Sequence, residues 1–235
     1  MNEETVSFSL LELFRLGGIF MWPLLFFSVA VITIVLERSV YFMYHSLRLE
    51  DLAEKTADYL RKGDAPLAVS YLGSLVKRRI GARILLALAR RVPPEVKILS
   101  EYRIEKAVET EASDCVNSLE RGFNFLTALG SLSPLTGFLG TVSGMIGAFR
   151  SIAEATEVNA QIVANGIYEA LITTVFGLII AIIAMAAHSV FAHIVDNFTS
   201  RAEKVSSDLV ALVMDASAGG SEGKSADAPA GEDRP

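Results

Sequence analysis

Three long runs of the chain contain neither a charged residue nor a histidine, and these runs limit the folds that it can adopt. They lie between Arg15 and Glu37, between Arg121 and Arg150, and between Glu169 and His188. Each is of the length, about 20 residues, that a helix needs to cross the hydrocarbon core of a bilayer. The mean hydropathy, +0.42, is high for a soluble domain. The sequence therefore predicts an all-α membrane protein with three transmembrane helices, because a soluble all-α protein seldom needs such long charge-free runs.

The distribution of Lys and Arg predicts the orientation of these spans. Residues 1–16 hold one Lys or Arg, residues 44–122 hold fourteen, and residues 150–166 hold one. Since positive residues stay on the cytoplasmic side, we expect the N-terminus outside and the C-terminus inside. The predicted segments are 1–16 (external N-terminal segment), 17–42 (first span), 43–125 (cytoplasmic helical region), 126–149 (second span), 150–166 (external connection), 167–194 (third span), 195–215 (cytoplasmic helix extension) and 216–235 (disordered tail).

Apolar periodicity predicts further helices outside the spans. Residues 47–62 and 65–91 have amphipathic patterns, separated at Gly63-Asp64 and ended by Pro93-Pro94. A single helix is predicted over 95–149. It would be roughly 80 Å long, and only about 30 Å of it can lie in hydrocarbon. The second and third spans are therefore expected to extend into the cytoplasm, whereas the small, polar residues of the C-terminal tail predict disorder.

Small residues recur on one face of each of the last two spans. The two sets are Gly130, Pro134, Gly137, Thr141, Gly144 and Ala148, and Gly166, Ala170, Thr174, Gly177, Ala181, Ala184 and His188. Such faces let helices approach closely in lipid. Gly140 is a further small residue of the second span. The hydroxyls of Thr141 and Thr174 have two alternatives, bonding to carbonyls of their own helix or lining a polar surface.

Glu169 and Thr173 lie beside this face. On an ideal helix Glu169 is about 40° from Thr173 and about 140° from Thr174, so Glu169 cannot share one surface fully with both threonines. An ionisable group at membrane depth is a functional candidate, and the alternative is a carboxylate that stabilises the helix start. Pro134 should kink the second span, either for packing or as a joint.

Other chemistry is not indicated by the sequence. His45, His188 and His193 are not at ligand spacing with a cysteine or an acid, so no metal is predicted. No phosphate-binding loop, nucleophile elbow or HExxH motif occurs. The net charge of −6 gives no case for nucleic-acid binding. We therefore expect a protein that is not an enzyme and has no cofactor.

Two motifs carry a resemblance to a known family. "SPLTGFLGTVSGMIGAF", from Ser133 to Phe149, and "GIYEALITTVFGLIIAIIA", from Gly166 to Ala184, resemble the second and third spans of the ExbB/TolQ/MotA ion-driven motor proteins. "GGIFMWPLLFFSVAVITIVLER", from Gly17 to Arg38, is similar to the first span of ExbB and TolQ. MotA proteins have four spans, so the three spans of this chain favour the ExbB/TolQ branch.

This resemblance implies a homopentamer in the bacterial inner membrane around a dimer of a single-span, ExbD/TolR-like partner, with a TonB- or TolA-like protein as a further partner. Translocated H⁺ would drive the motor. Thr141 and Thr174 would face the ion pathway and the partner, with Glu169 and Thr173 nearby. Pro134, Gly137, Gly140, Gly144 and Gly177 would shape and pack the helices.

Two departures from the family pattern concern this third span. Ile183 replaces the usual proline, so a kink is not assured there. Thr173 often corresponds to alanine in proton-driven members, which leaves Na⁺ as the alternative ion.

The competing functions are a membrane scaffold without ion coupling and a stand-alone ion channel.

Overall fold

The computed structural model describes residues 14–92, 101–154 and 160–225. Its helices, in chain order, are α1 (Met21–Tyr44), α2 (Glu50–Arg61), α3 (Ala65–Leu75), α4 (Gly81–Ala89), α5 (Glu101–Leu119), α6 (Phe123–Glu154) and α7 (Ala160–Ser225). Three helical stretches are long and apolar enough to cross a membrane, and they contain α1, α6 and α7. The prediction of an all-α chain with three such helices is confirmed.

The chain divides into two compact units. The first contains residues up to Ser39 together with Gly122–Ala192, which include most of α1, α6 and the first part of α7. Helices α6 and α7 have buried faces on which small residues predominate and exposed faces rich in Leu, Ile and Phe, such as Phe138 and Ile182. An apolar outer face is what a helix needs in lipid, where its backbone groups are satisfied internally.

The second unit contains Val40–Arg121 and the residues from His193 onward. Helices α2 to α5 and the C-terminal part of α7 supply its buried side chains, which include Leu52, Leu72, Leu85, Ile104 and Phe198. Polar contacts lie around this core: Arg83 is 2.7 Å from Glu111, and Arg201 is 3.2 Å from Glu50.

Two helix predictions are wrong in this unit and at its boundary. Residues 65–91 form two helices rather than one. Almost every residue of α4 is buried. In one continuous helix, the basic residues Lys77, Arg78 and Arg79 would directly precede this buried segment. The helix predicted over 95–149 is interrupted at 120–122, where Gly122 has φ +92°, a conformation that glycine adopts at little cost. Residues 95–100 of that prediction lie outside the described residues.

Helix α7 continues well beyond the third predicted span. It runs to Ser225 and so includes the first residues of the segment predicted to be a disordered tail. Once a helix has formed, each added residue gains one hydrogen bond for one residue ordered, so a helix can extend through small residues. Residues 226–235 lie outside the described residues.

Candidate functional site

Two threonine hydroxyls of α7 meet one carbonyl of α6. The Thr174 hydroxyl donates to the Gly137 carbonyl oxygen at 3.1 Å. The Thr173 hydroxyl lies 3.3 Å from the same oxygen and 2.8 Å from the Ala170 carbonyl of its own helix. These three residues form a polar node between two apolar helices. Interhelical hydrogen bonds of this kind contribute to helix association in lipid.

Glycines allow the two backbones to come this close. A Cβ atom on Gly137 would lie 2.8 Å from the Thr173 carbonyl oxygen and 2.9 Å from the Thr174 Cα. On the facing helix, a Cβ on Gly177 would lie 2.5 Å from the Ser133 carbonyl oxygen. Because these neighbours are backbone atoms, a side chain at either position would push the helices apart. The predicted small-residue faces therefore pack against each other within one chain.

The same contact continues toward the start of α7. A Cβ on Gly144 would lie 2.9 Å from the Gly166 carbonyl oxygen, and one on Gly166 would lie 2.7 Å from the Ala148 Cβ. At Gly140, an added Cβ would overlap the Thr173 hydroxyl. The four glycines predicted to pack the helices, at 137, 140, 144 and 177, all lie in this contact.

The two threonines of α7 differ in burial. Thr174 was expected on the small-residue face, lining the partner's path, and Thr173 at its side, where it would meet a neighbouring subunit or form an ion entry. Thr173 is only 1% exposed, between α6 and α7, while Thr174 is half-buried, and both roles stay predictions. The rotation of α7 that places Gly177 against Ser133 also turns Thr173 inward, because residues four apart share a helix face.

Thr141 lies on α6, one turn beyond the polar node. Its hydroxyl donates to the Phe138 carbonyl of its own helix at 2.7 Å, and the side chain is half-buried. Bonding to a carbonyl of its own helix was the first of the two alternatives stated for Thr141. A hydroxyl that donates backward still has lone pairs that accept hydrogen bonds, so a place on the ion pathway stays a prediction for Thr141.

Glu169 lies against the segment that precedes α1. Its Oε1 atom fills the space that a Cβ on Gly18 would occupy, and Gly18 has φ +65°. Only glycine readily combines that backbone conformation with so close a neighbour. Gly18 was not predicted as a site residue. The signal that could have identified it is the Gly-Gly pair, Gly17-Gly18, ahead of the first apolar run.

A polar cavity of about 320 Å³ opens beside Glu169. Gly17, Gly140, Ser143, Gly144 and Ser151 also line it. A carboxylate and two hydroxyls around a space of this size supply the polar partners that bound water or a cation needs. The cavity connects the surroundings of Glu169 with Gly140, whose neighbour across the helix contact is Thr173.

Pro134 lies inside α6, which is continuous through it. The predicted kink stays a prediction.

Two of the histidines have side-chain neighbours. His188 lies edge-on to Phe123, and the His193 ring lies 3.0 Å from the Asn197 amide nitrogen. Within the described ranges, no group of three His, Cys, Asp or Glu side chains is placed to hold a metal ion.

Comparisons with known proteins show which family this sequence is similar to. Residues 76–204 match the MotA/TolQ/ExbB proton channel family. The chain is 30% identical over 177 residues to putative biopolymer transport protein ExbB-like 3 of Synechocystis, which covers 74% of this chain and 81% of that protein.

Two further relatives match shorter segments. The chain is 31% identical over 117 residues to biopolymer transport protein ExbB of Salmonella typhimurium, covering 50% of this chain and 46% of the relative. It is 38% identical over 89 residues to the Tol-Pal system protein TolQ of Pseudomonas aeruginosa, covering 38% of each. The chain thus spans about half, or less, of the length of these two relatives.

Proposed function

Because this chain belongs to the MotA/TolQ/ExbB proton channel family, we propose that it is a subunit of an ion-driven motor in the bacterial inner membrane. Five copies surround a dimer of a single-span, ExbD/TolR-like partner that carries an acidic residue within its span. H⁺ moving down its electrochemical gradient turns the partner. The motion energises an envelope process through a TonB- or TolA-like protein, with the N-terminus of this chain in the periplasm and its C-terminus in the cytoplasm.

The observation that supports this proposal is the polar node at Gly137. Polar groups are costly within a bilayer and are usually retained for function. Thr174 keeps part of its side chain exposed while its hydroxyl bonds the Gly137 carbonyl. The hydroxyl has one proton, so it donates to the partner's ionised carboxylate when it rotates away from the Gly137 carbonyl, and it accepts from the protonated carboxyl while keeping that bond. It can therefore lower the cost of the charged state at one position of the rotating partner.

H⁺ is the proposed ion, and Na⁺ is the alternative. The alternative needs oxygen ligands that are free to surround a cation. The Thr173 side chain is buried between α6 and α7, which makes its hydroxyl oxygen a poor ligand for an ion in the partner's path. Motor activity that collapses with the proton gradient and ignores Na⁺ would agree with H⁺.

The test compares two threonine substitutions in the complete complex with its partner. Thr174→Val keeps the side-chain shape and removes the hydroxyl. Its control is Thr33→Val, since Thr33 is exposed on α1 and its hydroxyl donates to its own helix at Val29. We expect Thr174→Val to lower gradient-driven activity by about tenfold or more, the equivalent of one lost hydrogen bond to a charged group. The control should be unchanged.

Assembly of the complex is measured in the same samples. If Thr174→Val and Glu169→Gln both leave assembly and activity intact, the chain acts as a scaffold and the motor proposal fails. If liposomes containing this chain without a partner pass ions at the rate of the complex, the chain is a stand-alone channel.

A further inference from the structure

An apolar groove with a buried, unpaired hydroxyl lies in the second unit. It has a volume of about 530 Å³ between α5, Ile84 of α4 and the part of α7 around Ser206. Val108, Phe198 and Val210 form part of its floor and are buried. The Ser206 hydroxyl oxygen is buried and has no hydrogen-bond partner among the described residues. Buried polar groups are nearly always hydrogen-bonded. The groove therefore has room for an occupant that pairs with the Ser206 hydroxyl and covers the apolar floor.

Carboxylates line the rim of this groove. They belong to Glu105, Glu109 and Glu203. Glu109 pairs with Lys106 at 2.9 Å, while Glu105 and Glu203 have no ion pair within the part of the chain that the structure describes. We call the groove and these three carboxylates the acidic face. An occupant that suits it is apolar, carries positive charge and offers a hydrogen-bonding group.

A surface with these properties occurs on the other side of α5. A cavity of about 480 Å³ is lined there by Arg90, Arg91, Tyr102, Arg103 and Lys106, among others. Of the four cations, only Lys106 forms an ion pair in residues 14–92, 101–154 and 160–225. Tyr102 is 72% exposed. We call this surface the basic face.

We propose that the acidic face of one copy of this chain receives the basic face of a second copy. Arg103 lies about 160° around α5 from Glu105, so these two residues point away from each other and cannot pair within one chain, although Lys106 and Glu109 at the border of the two faces do. A contact between two different faces is head-to-tail, and repeating it forms a ring when the rotation between successive copies closes. Tyr102 supplies an aromatic ring for the apolar floor and a hydroxyl that can pair with Ser206.

The register along the helix also fits. Copies that share one membrane orientation have parallel α5 helices, so residues at similar height meet. Arg103 and Glu105 differ in height by about 3 Å, and charged pairs at such positions set partner choice between parallel helices. The inference rests on the proposed function only for the shared membrane orientation of the copies. Beyond that function, it names the two surfaces through which the copies contact each other.

Cysteine cross-linking of the full chain tests the contact. The variant Arg103→Cys/Glu105→Cys should form a ladder of disulfide-linked multimers on oxidation. Each single variant should form none, because neither face meets itself. The control pair is Glu54→Cys/Glu105→Cys, since Glu54 is also exposed but belongs to α2 and lines neither cavity. A dimer from either single variant would overturn the inference, as would a cross-link from Glu105→Cys to a smaller co-expressed partner chain.

Charge reversal gives a second readout. Glu105→Lys/Glu203→Lys, or Arg91→Glu/Arg103→Glu, should each lower the assembled fraction by about tenfold, since two exposed pairs become repulsive at each contact. Combining all four substitutions should restore assembly. If each reversal leaves assembly and ion-driven activity unchanged, the inference is wrong while the proposed function stands. If Thr174→Val and Glu169→Gln both leave activity intact in an assembled ring, the proposed function fails while this contact stands.

Discussion

Substituting Gly137 by alanine should separate α6 from α7. The added Cβ would lie 2.8 Å from the Thr173 carbonyl oxygen, whereas ordinary contacts of such an atom begin at 3.4 Å. The helices must therefore move apart by about 0.6 Å, because a backbone carbonyl has no other rotamer. The hydrogen bond from Thr174 to Gly137, now 3.1 Å, would then lengthen to about 3.7 Å, beyond the usual range.

The cost follows from these two effects. Overpacking of a buried contact costs about 1–3 kcal/mol, and each interhelical hydrogen bond lost in a membrane protein costs about 0.6 kcal/mol on average. Gly137→Ala should thus destabilise the chain by about 2–4 kcal/mol. For a protein of this size, that lowers the thermal midpoint by roughly 5–12 °C.

The assay is the fraction of detergent-solubilised protein that remains in its native size-exclusion peak after heating to a series of temperatures. Gly147→Ala is the matched control on the same helix, because a Cβ there would meet no atom within 4 Å and alanine has the higher helix propensity. A thermal midpoint for Gly137→Ala within about 2 °C of Gly147→Ala, a gap well short of the roughly 5–12 °C calculated above, would refute the close approach of α6 and α7.

Three further predictions concern other positions. Gly18→Ala should lower gradient-driven activity more than Gly63→Ala, because both glycines have positive φ but only Gly18 adjoins Glu169; equal activities would contradict this contact. Thr173→Val should lower the thermal midpoint by a few °C, about 1 kcal/mol for a lost buried hydrogen bond, with Thr33→Val unchanged. Burial raises the pKa of Cys115 to about 11 from an ordinary 9.0, so it should resist maleimide labelling at pH 8 until the chain is denatured. Its raised folded-state pKa stabilises the fold below pH 9, and this contribution, about 2–3 kcal/mol, is lost as pH rises toward 11; a Cys115→Ala variant should lose less stability over that range.

Helix breaks and helix rotation were harder to predict than the spans. Gly63-Asp64 was recognised as a break because glycine and a following acid are strong local signals. The break at 120–122 was missed, since Gly122 is a single glycine in a periodic pattern and its φ of +92° depends on the surrounding chain. The burial of Thr173 was not predicted, because sequence spacing gives the angle between two residues and not the direction in which their helix faces a neighbour.

Local sequence patterns were enough to predict that the chain is helical, that three segments can cross a membrane, and that small residues pack the last two of them. These properties follow from the length of the charge-free runs and from residue size. The burial of Thr173, the contact of Glu169 with Gly18, and the acidic and basic faces on either side of α5 became visible in the folded chain alone. Each of these depends on how far a helix is turned about its axis, and that rotation is fixed by the backbone contacts of a partner helix distant in the chain.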